Sequence, residues 1–336
     1  MSEVRRDIIT DTWVIVDTEN DKIPKLPRIE YSRSDRCPFC VGNEAQTPSE
    51  VFAIREQGPR DGPGWQVRVI PNINPILKAG GELMKSGVGV YDKVSGVGAS
   101  EVIIESPEHI VNFFELSEEQ IGLVLEAYRQ RILTLHRDQR IRYVLIFKNH
   151  RPQAGASTIE HTHSDLIALP AIPIRIKQKL SGAKEYYEFK ERCIFCDIIK
   201  QEIEMADRLV FQNERFVVIT PYASRFPFEI LILPKEHSHS FSLIDEGGIK
   251  DLAKSLKRIS KTLSDVVDDP PYNLILNDCP NLFPRADYWK TIKADFHWHI
   301  EITPRLHRTT GFELGTGFYI NRYAPERAAA VLRSNL

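Results

Sequence analysis

The sequence predicts a duplicated fold of mixed helices and strands, and two observations carry that reading. Two CxxC pairs, CPFC at 37–40 and CIFC at 193–196, each head a similar series of features. Each series also closes on an HxH pair with a further acid at the next alternate position, HTHSD at 161–165 and HWHIE at 297–301. Between these landmarks stand SPEH, ending at His109, and LPKEH, ending at His237. Four features recurring in one order over roughly 150 residues indicate a duplicated domain rather than a solenoid repeat. The halves are expected at 1–180 and 181–336, joined by a linker around residues 181–191, where the polar run GAKEYYEFKER stands.

Within each half the elements follow in parallel. After His109, the stretch LSEEQIGLVLEAYRQRILTLH opens with Ser117 and Gln120 in capping-box positions and spaces Ile121, Leu125 and Ile132 for one helical face. Residues 249–267 read as the matching helix. A β-rich run comes next in each half, YVLIF at 143–147 and YNLIL at 272–276, and then the HxH segment. Along an extended strand alternate side chains share a face. His161, His163 and Asp165 are therefore expected together on one side, and His297, His299 and Glu301 likewise.

Composition narrows the function. The 336 residues are 42% hydrophobic and 27% charged, a globular balance, with a formal net charge of -2. No basic excess suggests a nucleic-acid surface, so an anionic ligand must be met by local cations and backbone amides. No stretch approaches a signal peptide or a membrane span, and the expectation is a cytoplasmic protein that uses neither nucleic acid nor membrane. Five cysteines, an odd number, argue against a disulfide framework.

A CxxC pair can be a redox motif, a zinc half-site or two buried thiols. No βαβ thioredoxin pattern surrounds either pair, and one redox motif would suffice. Tetrahedral zinc needs two more N or S ligands. Cys37, Cys40, His109 and His161 offer one set; Cys193, Cys196, His237 and His297 offer a second, with His239 competing against His237. One or two zinc ions per chain are expected. If the first histidine of each HxH binds metal, the second is free. A neutral imidazole on a rigid strand is a competent nucleophile toward phosphorus once its other nitrogen is hydrogen-bonded. Just upstream, KNHRPQAGAS at 148–157 places the small residues Gly155, Ala156 and Ser157 where backbone can approach a phosphate.

These segments, CPFCVGNEAQTPSE, VRVIPNINPIL, GASEVIIESPEH, FKNHRPQAGAS with EHTHSDLIALP, and FHWHIEITPRL with GFELGTGFYIN, resemble the galactose-1-phosphate uridylyltransferase family of the histidine triad superfamily. The similarity runs in order from about residue 3 to residue 333. It implies an α+β fold of duplicated histidine-triad-like halves, each an antiparallel sheet with flanking helices, and a homodimer. It makes the first half catalytic and the second structural and substrate-binding. Carried over by position, it makes His163 a nucleophile that becomes nucleotidylated in a ping-pong exchange, beside the zinc site of Cys37, Cys40, His109 and His161. Asn72 and Asn149 fall at nucleotide contacts, Ser157 at a phosphate contact, and Phe318 and Asn321 at hexose contacts; Lys148, Arg151 and Asp165, close by in the sequence, are expected to be substrate-binding with them. The expected reaction moves a nucleoside monophosphate from a nucleotide sugar to a sugar 1-phosphate, with UDP-glucose and galactose 1-phosphate as the default pair. A phosphorylase or hydrolase of nucleotide sugars or dinucleoside polyphosphates, and a binding protein without turnover, are the alternatives.

The sequence departs from the family pattern around the phosphates. Asp165 stands where glutamine is usual, Thr162 where proline is usual, and Arg151 and Pro152 where glycine and a polar residue are common. NDKIP at 20–24 replaces RAKRP, leaving Lys22 as its one cation. Arg151 is expected to pair with Asp165 or with a phosphate.

Overall fold

The computed structural model describes residues 2–24, 37–156, 159–283 and 290–336. Ser157 lies outside the described residues. The chain opens on a hairpin, β1 (Ser2–Arg6) and β2 (Trp13–Asp17). Then come β3 (Phe52–Arg55), β4 (Trp65–Pro71), the exposed hairpin β5 (Lys85–Val88) and β6 (Tyr91–Val94), β7 (Ala99–Ile104), α1 (Glu118–Leu135), β8 (Tyr143–His150) and β9 (His163–Leu169). Helix α2 (Ile174–Lys190) straddles the expected boundary at 180/181, and the second half continues through α3 (Ile194–Met205), β10 (Leu209–Gln212), β11 (Phe216–Ile219), β12 (Ile230–Pro234), α4 (Glu246–Val267) and β13 (Tyr272–Asn277). It ends with α5 (Ile292–Asp295), β14 (His299–Pro304), α6 (Gly311–Thr316), β15 (Tyr319–Asn321) and α7 (Pro325–Ser334).

One antiparallel sheet carries both halves, in the order β10-β11-β12-β14-β13-β8-β9-β7-β4-β3. Outward from the central β8–β13 pair each side repeats the same sequence of strands, as a duplicated α+β domain should. The seam pairs Phe147 with Ile275 and His150 with Tyr272. Alternation along the strands gives the sheet two faces. Val144, Ile146, Leu166, Leu274, Leu276 and Ile300 enter the main core, which α1 and α4 cover. Helix α1 is capped by Ser117, whose side chain accepts from the Gln120 backbone N–H, and α4 by Asp245, which accepts from that of Gly248. The other face carries Leu145, Phe147 and His163 in the first half and Ile275, His299 and Glu301 in the second.

Two sequence expectations are corrected. Residues 181–191 are no loose linker, because α2 spans nearly all of them. They are rich in helix-forming Ala, Lys and Glu, and α2 as a whole presents a narrow apolar edge of Ile176, Leu180 and Ala183 to the second core. Gly182 is required there, since a Cβ would meet the Ile9 carbonyl oxygen at 1.8 Å. The HxH segments are also not strands from their first residue. Strands β9 and β14 start at His163 and His299, and the preceding histidines lie in the turns that enter them. Thr162 marks that turn, its N–H donating to the Ile110 carbonyl at 2.7 Å, a bond the usual proline could not make.

The N-terminal hairpin pairs across the chain: β2 runs parallel to β15, with Val14 opposite Tyr319 and Val16 opposite Asn321. Among the described residues no helix is long and apolar enough to cross a membrane.

Candidate active site and metal centres

The turn before β9 puts His161 wholly inside the protein, facing the CPFC loop. Its Nε2–H donates to the Ser106 carbonyl at 2.8 Å, which leaves Nδ1 as the lone-pair nitrogen. That Nδ1 lies 3.6 Å from both Cys37 Sγ and Cys40 Sγ, and His109 Nδ1 lies 3.4 Å from Cys40 Sγ. Usual Zn–S and Zn–N bonds at tetrahedral angles require S···N separations of roughly 3.6 Å. The donor set fits zinc. The second set repeats it: Cys196 Sγ is 3.4 Å from His237 Nδ1 and 3.7 Å from His297 Nδ1, while His297 Nε2–H donates to the Pro234 carbonyl. In each group the four ligand atoms lie within 4.8 Å of one another. His237, not His239, is the member of the second group.

His163 follows on the open face. Its Nδ1–H donates to the His161 carbonyl at 2.6 Å, so the ring is tied to the backbone of a candidate metal ligand. A carbonyl can only accept, so Nε2 carries the free lone pair, and among the described residues it has no hydrogen-bond partner. Burial lowers the His163 pKa below its ordinary value, against the pull of that backbone bond, and favours the neutral ring. Phe39 of the CPFC loop packs edge-on against the ring at 5.4 Å. Asp165 lies one alternation further along β9, beside Phe147. Burial raises its pKa above the usual carboxylate value, against the pull of His163 and Lys148. Its carboxyl has no hydrogen-bond or ion-pair partner among the described residues.

Several expected contacts take other places. Arg151 does not reach Asp165: its guanidinium pairs with Asp269 and lies 3.5 Å from Glu160. It follows β8 at φ 68°, the left-handed backbone that favours glycine, and its ion pair reaches into the second half. Lys148 is no substrate contact, because β8 turns it to the helix-covered face, where it is only 2% exposed. Asn321 is fully buried, donating to the Ser224 carbonyl and accepting from the Tyr323 N–H, so no polar edge is left for a sugar. Phe318 stacks on Trp13 at 6.2 Å. Asn149 remains on the open face, accepting from Asn273 Nδ2 at 2.7 Å. Asn72 lies just past β4, where its N–H donates to the Ser100 carbonyl. Lys22 is exposed, and Asn20 donates to the Arg322 carbonyl.

Two residues that sequence reasoning missed flank the two HxH pairs. Glu105, fully buried behind His163, accepts from Lys148, Thr162 and Ser164. Lys179, from α2, reaches the second HxH: its Nζ lies 2.8 Å from His299 Nε2, donates to Asn277 Oδ1 at 3.0 Å and pairs with Glu301. Glu105 had a visible signal, an acid closing the apolar run VII, as did Lys148 after YVLIF. Lys179 had none, since 120 residues separate it from its partner. A cavity of about 690 Å³ opens beside His299, lined by Asn149, Asn273, Arg225, Arg305 and Tyr319 among others.

Known proteins match this arrangement over its whole length. The N-terminal domain model of galactose-1-phosphate uridyl transferase matches residues 74–173, and the C-terminal domain model matches residues 179–333. ADP-glucose phosphorylase from Arabidopsis thaliana is 33% identical, covering 98% of this chain and 92% of its own. Galactose-1-phosphate uridylyltransferase from Thermotoga maritima is 29% identical, covering 99% of this chain and 98% of its own. The crystal structure of the Arabidopsis phosphorylase with bound ADP-glucose aligns at TM-score 0.82 and 32% identity, covering 99% of this chain and 98% of that one. A uridylyltransferase structure aligns at 0.76 and 26%, covering 100% and 98%. With both domain models in order and full-length relatives on either side, the chain belongs to the galactose-1-phosphate uridyl transferase family and is a nucleotidyltransferase.

Proposed function

We propose that this enzyme transfers a nucleoside monophosphate from a nucleotide sugar to a phosphate-bearing acceptor through a covalent nucleotidyl-His163. The observation that carries the proposal is the His163 ring: Nδ1 bound to the His161 carbonyl, Nε2 unpartnered among the described residues. The Nε2 lone pair attacks the α-phosphorus, the bond from that phosphorus to the bridging oxygen breaks, and sugar 1-phosphate leaves as an anion. An oxygen of the acceptor phosphate then attacks the same phosphorus, and the P–N bond returns its electrons to Nε2. The leaving groups are stable anions, so no strong general acid is needed. Zinc held by Cys37, Cys40, His109 and His161 would act structurally, fixing His161 and hence the carbonyl that orients His163.

Residues 1–180 would then be the catalytic half and 181–336 a structural and substrate-binding half, with its own zinc at Cys193, Cys196, His237 and His297. Asn72, Asn149 and Arg151 remain proposed nucleotide or phosphate contacts, as does Ser157 by resemblance. Asp165 remains a proposed phosphate-side residue, standing where the family's glutamine stands, with burial raising its pKa against the pull of His163 and Lys148. A homodimer is the proposed assembly.

For the acceptor there are two readings. UDP-glucose with galactose 1-phosphate follows the family name. Phosphorolysis of ADP-glucose, with inorganic phosphate as acceptor, is supported by the full-length 33% relative that bears that name. Intact-mass measurement after incubation with UDP-, ADP- and GDP-sugars tests the common step: one nucleotidyl mass is expected on wild type and none on His163→Asn. Release of that mass by galactose 1-phosphate or by inorganic phosphate separates the two readings. A wild-type enzyme that never gains the mass would leave only a binding protein.

A further inference from the structure

The strand that carries His163 is held from behind by charge, and the matching strand of the second half is not. Glu105 Oε2 accepts from Lys148 Nζ at 2.5 Å and from Thr162 Oγ1 at 2.5 Å, and Oε1 accepts from Ser164 Oγ at 2.6 Å. The same ammonium donates to Thr162 Oγ1 and to the His163 carbonyl, each at 2.8 Å. Tyr128 from α1 closes the group, its hydroxyl donating to Glu105 Oε1 at 3.1 Å. One carboxylate and one ammonium therefore grip three consecutive residues, 162, 163 and 164, on the side away from the imidazole. Burial alone would raise the Glu105 pKa, but the Lys148 charge and the hydroxyl donors outweigh it and keep the carboxyl ionised.

The second half supplies an internal control. Strand register places Pro234, Leu276, Trp298 and Ile300 where Glu105, Lys148, Thr162 and Ser164 stand. All four are buried on the helix-covered face. The same sheet position under the same kind of helix thus folds with apolar residues alone. A buried ion pair must recover the desolvation of both charges, and an apolar replacement of similar volume is often neutral or more stable. Folding gives no reason to keep charge behind His163 when its duplicate dispenses with it. What differs is the imidazole in front: unpartnered at Nε2 among the described residues in the first half, engaged by Lys179 in the second.

We propose that Glu105 and Lys148, acting through Thr162 and Ser164, are positioning residues for nucleotidyl transfer: they lock the backbone on both sides of His163 so that Nε2 stays in line with the departing oxygen. The pair touches no substrate. Its effect is to remove freedom from a nucleophile whose ring hangs on one rotatable side chain at the start of a strand. Loss of such aim lowers the rate of the chemical step without weakening donor binding.

This inference rests on His163 as the nucleophile, and single-turnover nucleotidylation of the zinc-loaded enzyme tests it apart from that reading. With UDP-glucose or ADP-glucose as probe, the amplitude of the adduct counts folded, competent enzyme and the rate constant reports aim. Thr162→Val and Lys148→Met should keep the wild-type amplitude and donor half-saturation while the rate constant falls roughly 10–100-fold. Thr162→Ser, which keeps the hydroxyl, should stay within about threefold of wild type. If Lys148→Met does not fold, the apolar set Glu105→Leu, Lys148→Leu, Thr162→Val and Ser164→Ala takes its place. That set should melt no lower than wild type yet react as slowly as Thr162→Val. Full amplitude at the wild-type rate in Thr162→Val, or equal slowing by Thr162→Ser, overturns the proposal. A wild-type enzyme that forms no adduct removes the nucleophile reading on which it depends.

Discussion

His163 and His299 stand at matching places in a duplicated sheet, each with Nδ1 on the carbonyl of the histidine two residues before it, at 2.6 and 3.0 Å. They differ in what faces Nε2. Nothing described meets it at His163, whereas at His299 an ammonium arrives at 2.8 Å and is itself paired with Glu301. Burial and that cation push the His299 pKa down to about 4. Two similar metal-ligand sets and two similar strands therefore do not make two similar sites. The difference between the two imidazoles lies in one side chain, delivered from a helix, that the other site lacks among the described residues.

The sharpest test of this contrast is kinetic. His163→Asn is expected to reduce turnover by at least ~10⁴-fold, while His299→Asn leaves it near wild type. Steady-state rates for the two variants side by side decide the matter, and equal losses would erase the distinction between the halves.

Metal content sharpens it next. Cys37→Ser and Cys193→Ser should each lower bound zinc by one ion per chain and destabilise the fold by several kcal/mol. Only Cys37→Ser should also slow the active fraction, because His161 anchors His163. Elemental analysis with active-site titration reads both quantities; zinc absent from wild type would remove both cages from the account.

A smaller effect belongs to the second half alone. Asp278 is wholly buried just after β13, and burial raises its pKa to about 7. A folded pKa above the unfolded value means stability that is complete below pH ~4 and is lost as pH rises toward 7. Its Oδ1 accepts from the Phe241 and Cys279 N–H groups, which an asparagine oxygen can also do. Asp278→Asn should therefore stabilise the enzyme at pH 8 by up to about 4 kcal/mol, do little at pH 4, and leave turnover unchanged. Denaturant melts at the two pH values check the sign.

The least change is expected at the contact between halves. Arg151→Ala loses the ion pair to Asp269 and keeps the strained backbone; Arg151→Gly loses the pair and relieves the strain. The glycine variant should be more stable than the alanine by about 1 kcal/mol, the reverse of the order in an ordinary strand.

The sequence made the repeat, both candidate metal-ligand sets, the two core helices with the Ser117 cap, and the candidate nucleophile legible, because each rests on residues close together or on a spacing that recurs; the other half of the expected capping box fails, since Gln120 donates to the Gln66 and Glu105 carbonyls instead. The long-range contacts were not legible. Nothing local says that β8 and β13 join, that Lys179 folds back onto His299, or that Arg151 chooses Asp269, 118 residues away, over Asp165, 14 away. The linker failed for another reason: GAKEYYEFKER is polar enough for a loop, and its helix shows only a thin apolar edge. Lys148 was misread as a phosphate contact because one residue of strand phase decides which face a side chain takes.

The β8–β13 seam also bears on how the molecule could be taken apart. The two halves join by backbone hydrogen bonds between two antiparallel strands, each of which would be an open sheet edge if its half stood alone. Such an edge is self-complementary when it meets a second copy of itself about a two-fold axis. Expressed as separate polypeptides, the halves would each have a route to a symmetric pair, and mixing them would set those like pairs in competition with the native unlike one. The seam is thus a natural point for a split enzyme whose reassembly is reported by its own turnover.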